Sequence, residues 1–145
     1  MALLDEVTFR PLDPDEMGFV MDSWFRSYRN SEWAGVIPNH LYYPTMREML
    51  ASLISRGAKI LAAIAVTEEG ERVIGYVCHE NKKMETVLHY LYVKDPYRRA
   101  GLGKKLVSLA TEGPYLLYTH RTRLSRFVLP HSARFVPEIA RRKDP

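Results

Sequence analysis

Residues Leu91–Val107 read LYVKDPYRRAGLGKKLV, and the fold turns on how this stretch is parsed. Its first residues close an apolar, strand-like run, Asp95-Pro96 stops that run, and an apolar helical pattern begins at about Gly103. Between strand and helix lie two arginines and two glycines. A helix entered through such a turn leaves N–H groups without intrahelical partners at the positive end of its dipole. Gly101 and Gly103 let an anion approach the main chain without meeting a Cβ. Arg98, Arg99 and Lys104 supply neutralising charge. A Walker A loop needs G-x-x-x-x-G-K-[ST], and a dinucleotide turn needs G-x-G-x-x-G, whose third glycine would be Leu106 here; neither fits. What remains is R-x-x-G-x-G, Arg98 to Gly103. It suits a diphosphate, and its bland alternative is a helix start with solvated arginines.

The rest of the chain frames this turn. Upstream, VTFRPL is a short strand, and DPDEMGFVMDSWFRSYR follows as a helix. Asp13 caps it, Pro14 suits its first position and Glu16 completes a capping box. Met17, Val20, Met21, Trp24 and Tyr28 share one face of that helix. NSEWAGVIPNHLYYP reads as a loop. Thr45 and Glu48 then open a second helix with an apolar stripe of Met46, Met49, Leu50, Leu53 and Ile54, and Gly57 stops it. KILAAIAVT, RVIGYVCHE and METVLHYLYV are three successive antiparallel strands joined by turns. After the glycine-rich turn come a helix to Thr111, the strand YLLYT, a short helix near Thr122–Leu129 and an extended ARFVP. The expected order is β-α-α-β-β-β-α-β-α-β, a mixed, mostly antiparallel sheet of the α/β (α+β) class with helices on both faces.

Composition bounds the function. The chain has 145 residues, is 46% hydrophobic and 26% charged, and is expected to form one domain over residues 1–145. Nothing approaches the roughly 20 apolar residues of a membrane span. MALLDEVTFRPL lacks a basic n-region, so no secretory signal is expected. The single cysteine, Cys78, cannot pair within the chain and sits in an apolar run, which fits a core position and a cytoplasmic, reducing setting. From Thr119 onward seven cationic residues face two acidic ones, a net +5 that leaves the first 118 residues at −1. Such a tail suits an anionic partner or is simply solvated.

The segment LYVKDPYRRAGLG resembles motif A of the GNAT superfamily, the acetyl-CoA-dependent N-acetyltransferases, with one extra residue before the proline. The element order is similar from residue 7 to about 136. The resemblance implies acetyl-CoA as cofactor. It places the coenzyme diphosphate on Arg98, Arg99, Ala100, Gly101, Leu102, Gly103 and Lys104, and the pantetheine arm along Leu91, Tyr92 and Val93, in a cleft opened against YLLYT. It implies acetyl transfer to a primary amine of a small molecule or protein, with an oxyanion-binding amide near Tyr92.

Proton transfer needs a base and an acid. His89, two residues before Leu91, is the first candidate base, since arylalkylamine-type relatives carry a relaying histidine there and an ordinary imidazole titrates near 6.5. Its alternative is a strand histidine bonded to a neighbour, and His79 and Glu80 are weaker candidates. A water chain without one essential base serves equally. The tyrosine of a family Y-x-x-x-G-F pattern is replaced by Pro130 in PHSARF, so Tyr118 or His131 would have to serve as acid. The acceptor wall is expected from Tyr28, Trp33, Tyr42 and Tyr43, although Tyr28 also fits the core. No histidine spacing demands a metal. The short C-terminal end suggests a missing last hairpin or pairing in a homodimer. The alternatives are a GNAT-fold binder without efficient catalysis and a nucleic-acid module. The latter is disfavoured because only Phe127 and Phe135 offer stacking rings in the basic tail.

Overall fold

The computed structural model describes residues 6–31 and 37–141. Its elements follow the expected order: β1 (Val7–Pro11), α1 (Met17–Arg29), α2 (Asn39–Ser55), β2 (Lys59–Thr67), β3 (Gly70–Lys82), β4 (Glu85–Val93), α3 (Leu102–Ala110), β5 (Tyr115–Tyr118), α4 (Arg123–Val128) and β6 (Arg134–Phe135). One six-stranded sheet runs in sequence order, β1 to β6. Pairs β1–β2, β2–β3 and β3–β4 are antiparallel, and β4–β5 and β5–β6 are parallel. No helix among the described residues is long and apolar enough to cross a membrane.

Period-two alternation in the central strands sends side chains to two cores. One face, with Ile60, Ala62, Ile64, Tyr76, Cys78 and Tyr90, packs against Val20 and Trp24 of α1 and Met46, Leu50 and Leu53 of α2. The other, with Ala63, Ile74, Val77, Leu88, Leu91 and Val93, packs against Leu102, Leu106 and Val107 of α3. Val20, Leu53 and Leu106 are wholly buried, and burial of each such side chain stabilises the fold by roughly 1.5–3 kcal/mol. Hydroxyl pairs fasten α1 to the sheet: Ser23 with Tyr76 at 2.8 Å and Ser27 with Tyr90 at 2.6 Å. The Trp24 ring stacks on Tyr90 at 4.9 Å with only 3° between planes.

At the start of α1, the Asp13 amide donates to Glu16 Oε1 at 2.9 Å, as the capping residues suggest. The second helix departs from expectation. It begins at Asn39 rather than Thr45 and carries Pro44 inside it. Pro38 opens it, with its carbonyl accepting from the Leu41 and Tyr42 amides. Tyr42 is buried against α1 and donates to the Phe25 carbonyl at 2.6 Å. This tertiary anchor outweighs Pro44, whose missing donor affects only a carbonyl near the exposed helix start.

Two bulges shape the sheet. In the β3–β4 ladder Cys78 faces Tyr90 and His79 faces Leu88, so His89 is an extra residue in β4. A second irregularity lies between Ala63 and Ile64 of β2. Beyond the first bulge β4 and β5 part. Their parallel pairing covers only Glu85–Leu88 with Tyr115–Tyr118, followed by a bond from the Thr119 amide to the Leu88 carbonyl, while β4 runs on to Val93.

Candidate active site

The parting strands open a cavity of about 1470 Å³, larger than the roughly 300–1,000 Å³ of a site for a drug-sized molecule. One wall is the free stretch of β4, Tyr90 to Val93. Another is the turn Arg98–Lys104, and a third is α4 with Arg123 and Arg126. The end of α1 contributes Ser27, Asn30 and Ser31.

Local backbone chemistry explains the turn. Asp95-Pro96 forms a short 3₁₀ turn, after which Arg99 and Gly101 both adopt left-handed conformations, with φ of 70° and 82°. Gly101 caps α3, and its carbonyl receives the Lys105 amide at 3.0 Å. The amides of Leu102, Gly103 and Lys104 precede that first helical bond, so they have no partner within the helix. Gly103 is where α4 closes in: a Cβ there would lie 3.2 Å from Val128 Cγ2. Arg98 is tied down through Nε to the Val93 carbonyl at 2.8 Å and through Nη1 to Asp95 at 3.2 Å. Among the described residues, Arg98, Arg99, Lys104, Arg123 and Arg126 line the cavity against one acidic residue, Asp95. The concavity therefore attracts anions, and its bare amides and flexible cations fit phosphate oxygens.

A buried polar chain lies behind the bulge. Arg56, from just beyond α2, donates from Nη2 to Glu80 Oε1 at 2.6 Å and to the Ile139 carbonyl at 2.7 Å. His89 Nε2 is 2.7 Å from the same Glu80 oxygen, and His89 Nδ1 is 2.9 Å from Thr119 Oγ1. Thr119 Oγ1 is in turn 2.9 Å from His120 Nδ1. Burial alone would raise the Glu80 carboxyl, but hydrogen bonds from His89 and Arg56 outweigh it and hold the group down at about 2. Burial depresses His89 below the ordinary imidazole range, opposed by Glu80. Burial similarly pushes the Cys78 thiol up, consistent with a core role.

Of the residues expected to hold cofactor, Leu91, Tyr92, Val93, Arg98, Arg99, Gly101, Leu102, Gly103 and Lys104 all line the cavity, and Ala100 does not. His89 is not on the cavity wall: it has no exposed surface and both ring nitrogens are engaged. Tyr118 turns instead to the α3 face, its ring 5.3 Å from Phe135. His131 is exposed on the turn after α4 and stands outside the cavity lining. Tyr42 is a core anchor. Tyr43 borders a separate 300 Å³ depression with Met21, Phe25 and Arg47, and Tyr28 packs edge-on to Tyr90 and His120. Trp33 lies outside the described residues. Sequence reasoning missed Ser27, Asn30, Ser31, Arg123 and Arg126 on the wall, and Thr119 with His120 beside it. The run of polar residues from Thr119 to Arg123 directly after an apolar strand was the available signal.

Residues 61–134 match the family model described as Acetyltransferase (GNAT) domain. The chain belongs to the GNAT acetyltransferases, and the acetyl-CoA-type motif read at Arg98–Gly103 falls inside the matched segment. Solved structures agree on the fold. A protein from Pyrococcus furiosus assigned as an acetyl transferase superposes with a TM-score of 0.60 at 17% identity, over 81% of this chain and 85% of that one. A GNAT-family acetyltransferase from Staphylococcus aureus Mu50 aligns with a TM-score of 0.50 at 14% identity, over 72% of this chain and 62% of its own. A GNAT-superfamily phosphinothricin acetyltransferase from Sinorhizobium meliloti, solved with acetyl-CoA, gives 0.50 at 19% identity, over 72% and 57%. The chain thus spans less than two thirds of the latter two proteins. Comparison with curated proteins gives no match.

Proposed function

We propose that this protein transfers the acetyl group of acetyl-CoA to a primary amine, of a small molecule or a protein, by direct attack in a ternary complex. The observation that carries this reading is the cavity itself, which joins the free edge of β4 to the left-handed turn and the start of α3. The edge of Leu91–Val93 that β5 leaves uncovered, apart from the Val93 carbonyl held by Arg98, suits the amides of a pantetheine arm, and the amides of Leu102–Lys104 with Arg98 and Arg99 suit its diphosphate. The cofactor-bound relative from Sinorhizobium meliloti supports the choice of coenzyme. The acceptor then enters from the α1 side, where Ser27, Asn30, Ser31 and Tyr90 offer neutral polar groups.

Two measurements test this. Calorimetry should show acetyl-CoA binding in the micromolar range. Thiol release should then rise with at least one amine from a panel of 2-phenylethylamine, spermidine, free amino acids and a lysine-containing peptide. Absence of binding would defeat the proposal, and binding without release from any amine would favour a coenzyme-binding protein that lacks efficient catalysis.

We also place a second copy of the chain at the C-terminal sheet edge, where β6 is two exposed residues long and leaves strand hydrogen-bonding groups available. A dimeric mass in light scattering at high micromolar concentration is expected, and a monomeric one would exclude it. The buried single cysteine supports a reducing, cytoplasmic setting.

A further inference from the structure

Where α1 meets β4, the direction of each hydroxyl bond can be assigned from its neighbours. Ser27 Oγ lies 2.5 Å from the Ser23 carbonyl, which can only accept, so the single Ser27 proton goes there. Tyr90 Oη, 2.6 Å from Ser27 Oγ, is then the donor of that pair. The same arrangement stands one turn earlier, where Ser23 donates to the Phe19 carbonyl at 2.7 Å and receives the Tyr76 hydroxyl at 2.8 Å. One turn later, Ser31 gives its proton to the Tyr28 carbonyl at 2.6 Å. Ser27, Tyr90 and Ser31 thus turn their protons into the protein and keep only oxygen lone pairs to offer a ligand.

All three residues line the cavity. Ser27 has no side-chain atoms beyond its Cβ and hydroxyl, so the cavity reaches the Ser27–Tyr90 pair. The Tyr90 ring is clamped by Trp24 stacked on it at 4.9 Å and by the edge contacts of Tyr28 at 6.1 Å and His120 at 5.9 Å. Burial pushes its hydroxyl up to about 12, so it stays a neutral phenol. These oxygens stand at the C-terminal end of α1, the negative end of its dipole. The two arginines of that last turn are directed elsewhere, Arg26 to Asp22 at 2.8 Å and Arg29 to Asn39 Oδ1 at 3.1 Å, and neither lines the cavity. The cavity is therefore polarised, with amides and arginines at the α3 end and lone pairs at the α1 end.

We propose that Tyr90 Oη, with Ser27 and Ser31 Oγ beside it, receives the acceptor as a primary ammonium whose N–H groups donate to these oxygens. Ser27 also acts as a positioning residue, since it fixes which way the Tyr90 proton points. The proposal rests on the acetyl-transfer reading and names the form of acceptor that site selects: a cation bearing N–H donors, over an alcohol of the same shape and over a quaternary ammonium. Tyr90 faces the α1 core and Leu91 the α3 core, so the ammonium meets β4 from the α1 face while the thiol arm follows the strand edge.

The probe is n-butylammonium, titrated by calorimetry into the protein saturated with coenzyme A, whose phosphates offset the arginines at the far end. It should bind at least about tenfold more tightly than n-butanol, which lacks the charge, and than N,N,N-trimethylbutylammonium, which lacks the donors. Tyr90→Phe keeps the stacked ring and should weaken n-butylammonium about 10- to 100-fold. With the fastest amine of the panel above, the same variant should raise KM by a similar factor, while kcat and acetyl-CoA affinity each move less than about threefold. Ser27→Ala releases the Tyr90 proton toward the cavity and should raise that KM about tenfold, whereas Ser27→Thr, which keeps the hydroxyl, should stay within about threefold of wild type. In the wild type, no binding of n-butylammonium, or binding no tighter than that of either analogue, overturns the proposal and needs no variant. So does unchanged amine affinity, or a loss confined to kcat, in a folded Tyr90→Phe. Failure of the wild type to bind acetyl-CoA would instead strike the underlying reading, so the two failures are distinguishable.

Discussion

Gly101→Val is expected to weaken acetyl-CoA binding about 30- to 100-fold, read by calorimetry, while lowering Tm by only a few degrees. Gly101 caps α3 at φ 82°, two residues after Arg99 at φ 70°. A β-branched residue is disfavoured in that left-handed region by roughly 1–2 kcal/mol, so the turn relaxes toward ordinary angles. The amides of Leu102–Lys104 then swing away from a common focus. Hydrogen bonds to charged groups are worth about 1.5–3 kcal/mol each, and each 1.4 kcal/mol is tenfold in affinity. Losing one such bond, with some weakening of a second, gives the stated range. The core contacts of α3 through Leu102, Leu106 and Val107 are untouched, hence the small thermal effect. Unchanged affinity in this variant would remove the turn as the diphosphate site.

The largest stability effect is expected from Glu80→Ala. That change leaves the Arg56 guanidinium, 6% exposed, without the carboxylate it pairs with at 2.6 Å, and strips His89 of its Nε2 acceptor. Breaking a buried pair by removing one partner costs about 3–5 kcal/mol, a drop in Tm on the order of 10–15 °C for a chain of this size. The same group dictates acid behaviour. Its carboxyl titrates at about 2 in the fold against an ordinary 4.5, so its contribution is fully present above pH 5 and is lost as pH falls from about 4.5 toward 2. Urea unfolding from pH 6 down to pH 3 should show wild-type stability falling steeply, and the difference from Glu80→Ala shrinking in step. A difference that stayed constant over that window would mean Glu80 does not act through its charge.

Much of this architecture was legible because periodicity reports directly on burial. The stripe on α1, the alternation in β2–β4 and the Gly-rich entry to α3 each placed an element, and nine of the ten residues expected to hold the coenzyme line one cavity because its walls follow from where a strand stops and a helix starts. Side-chain chemistry was less readable. His89 looked available since alternation assigns a face but cannot reveal a bulge, which depends on how β3 and β4 register against each other. Tyr118 looked like a cleft residue until the parallel pairing of β4 and β5 turned it to the α3 core. His120 carries no motif, and Thr119, Trp24, Tyr28 and Tyr90 come together around it from distant parts of the chain. The start of α2 was misjudged for a similar reason: Tyr42 finds its partner, the Phe25 carbonyl, on another helix.

The irregularity at His89 has a bearing on how the strand tolerates shortening. On either side of it the apolar alternation is in phase, with Leu88 and Leu91 toward one core and Tyr90 toward the other. Excising position 89 alone would close the ladder into regular pairing, Leu88 with His79 and Tyr90 with Cys78 as they already stand. Excising a neighbour would instead force the bulge or the flanks to shift, threatening to turn greasy side chains toward water. The histidine occupies an extra position in an otherwise regular β-strand, so the buried polar group it brings leaves the apolar alternation on both sides intact.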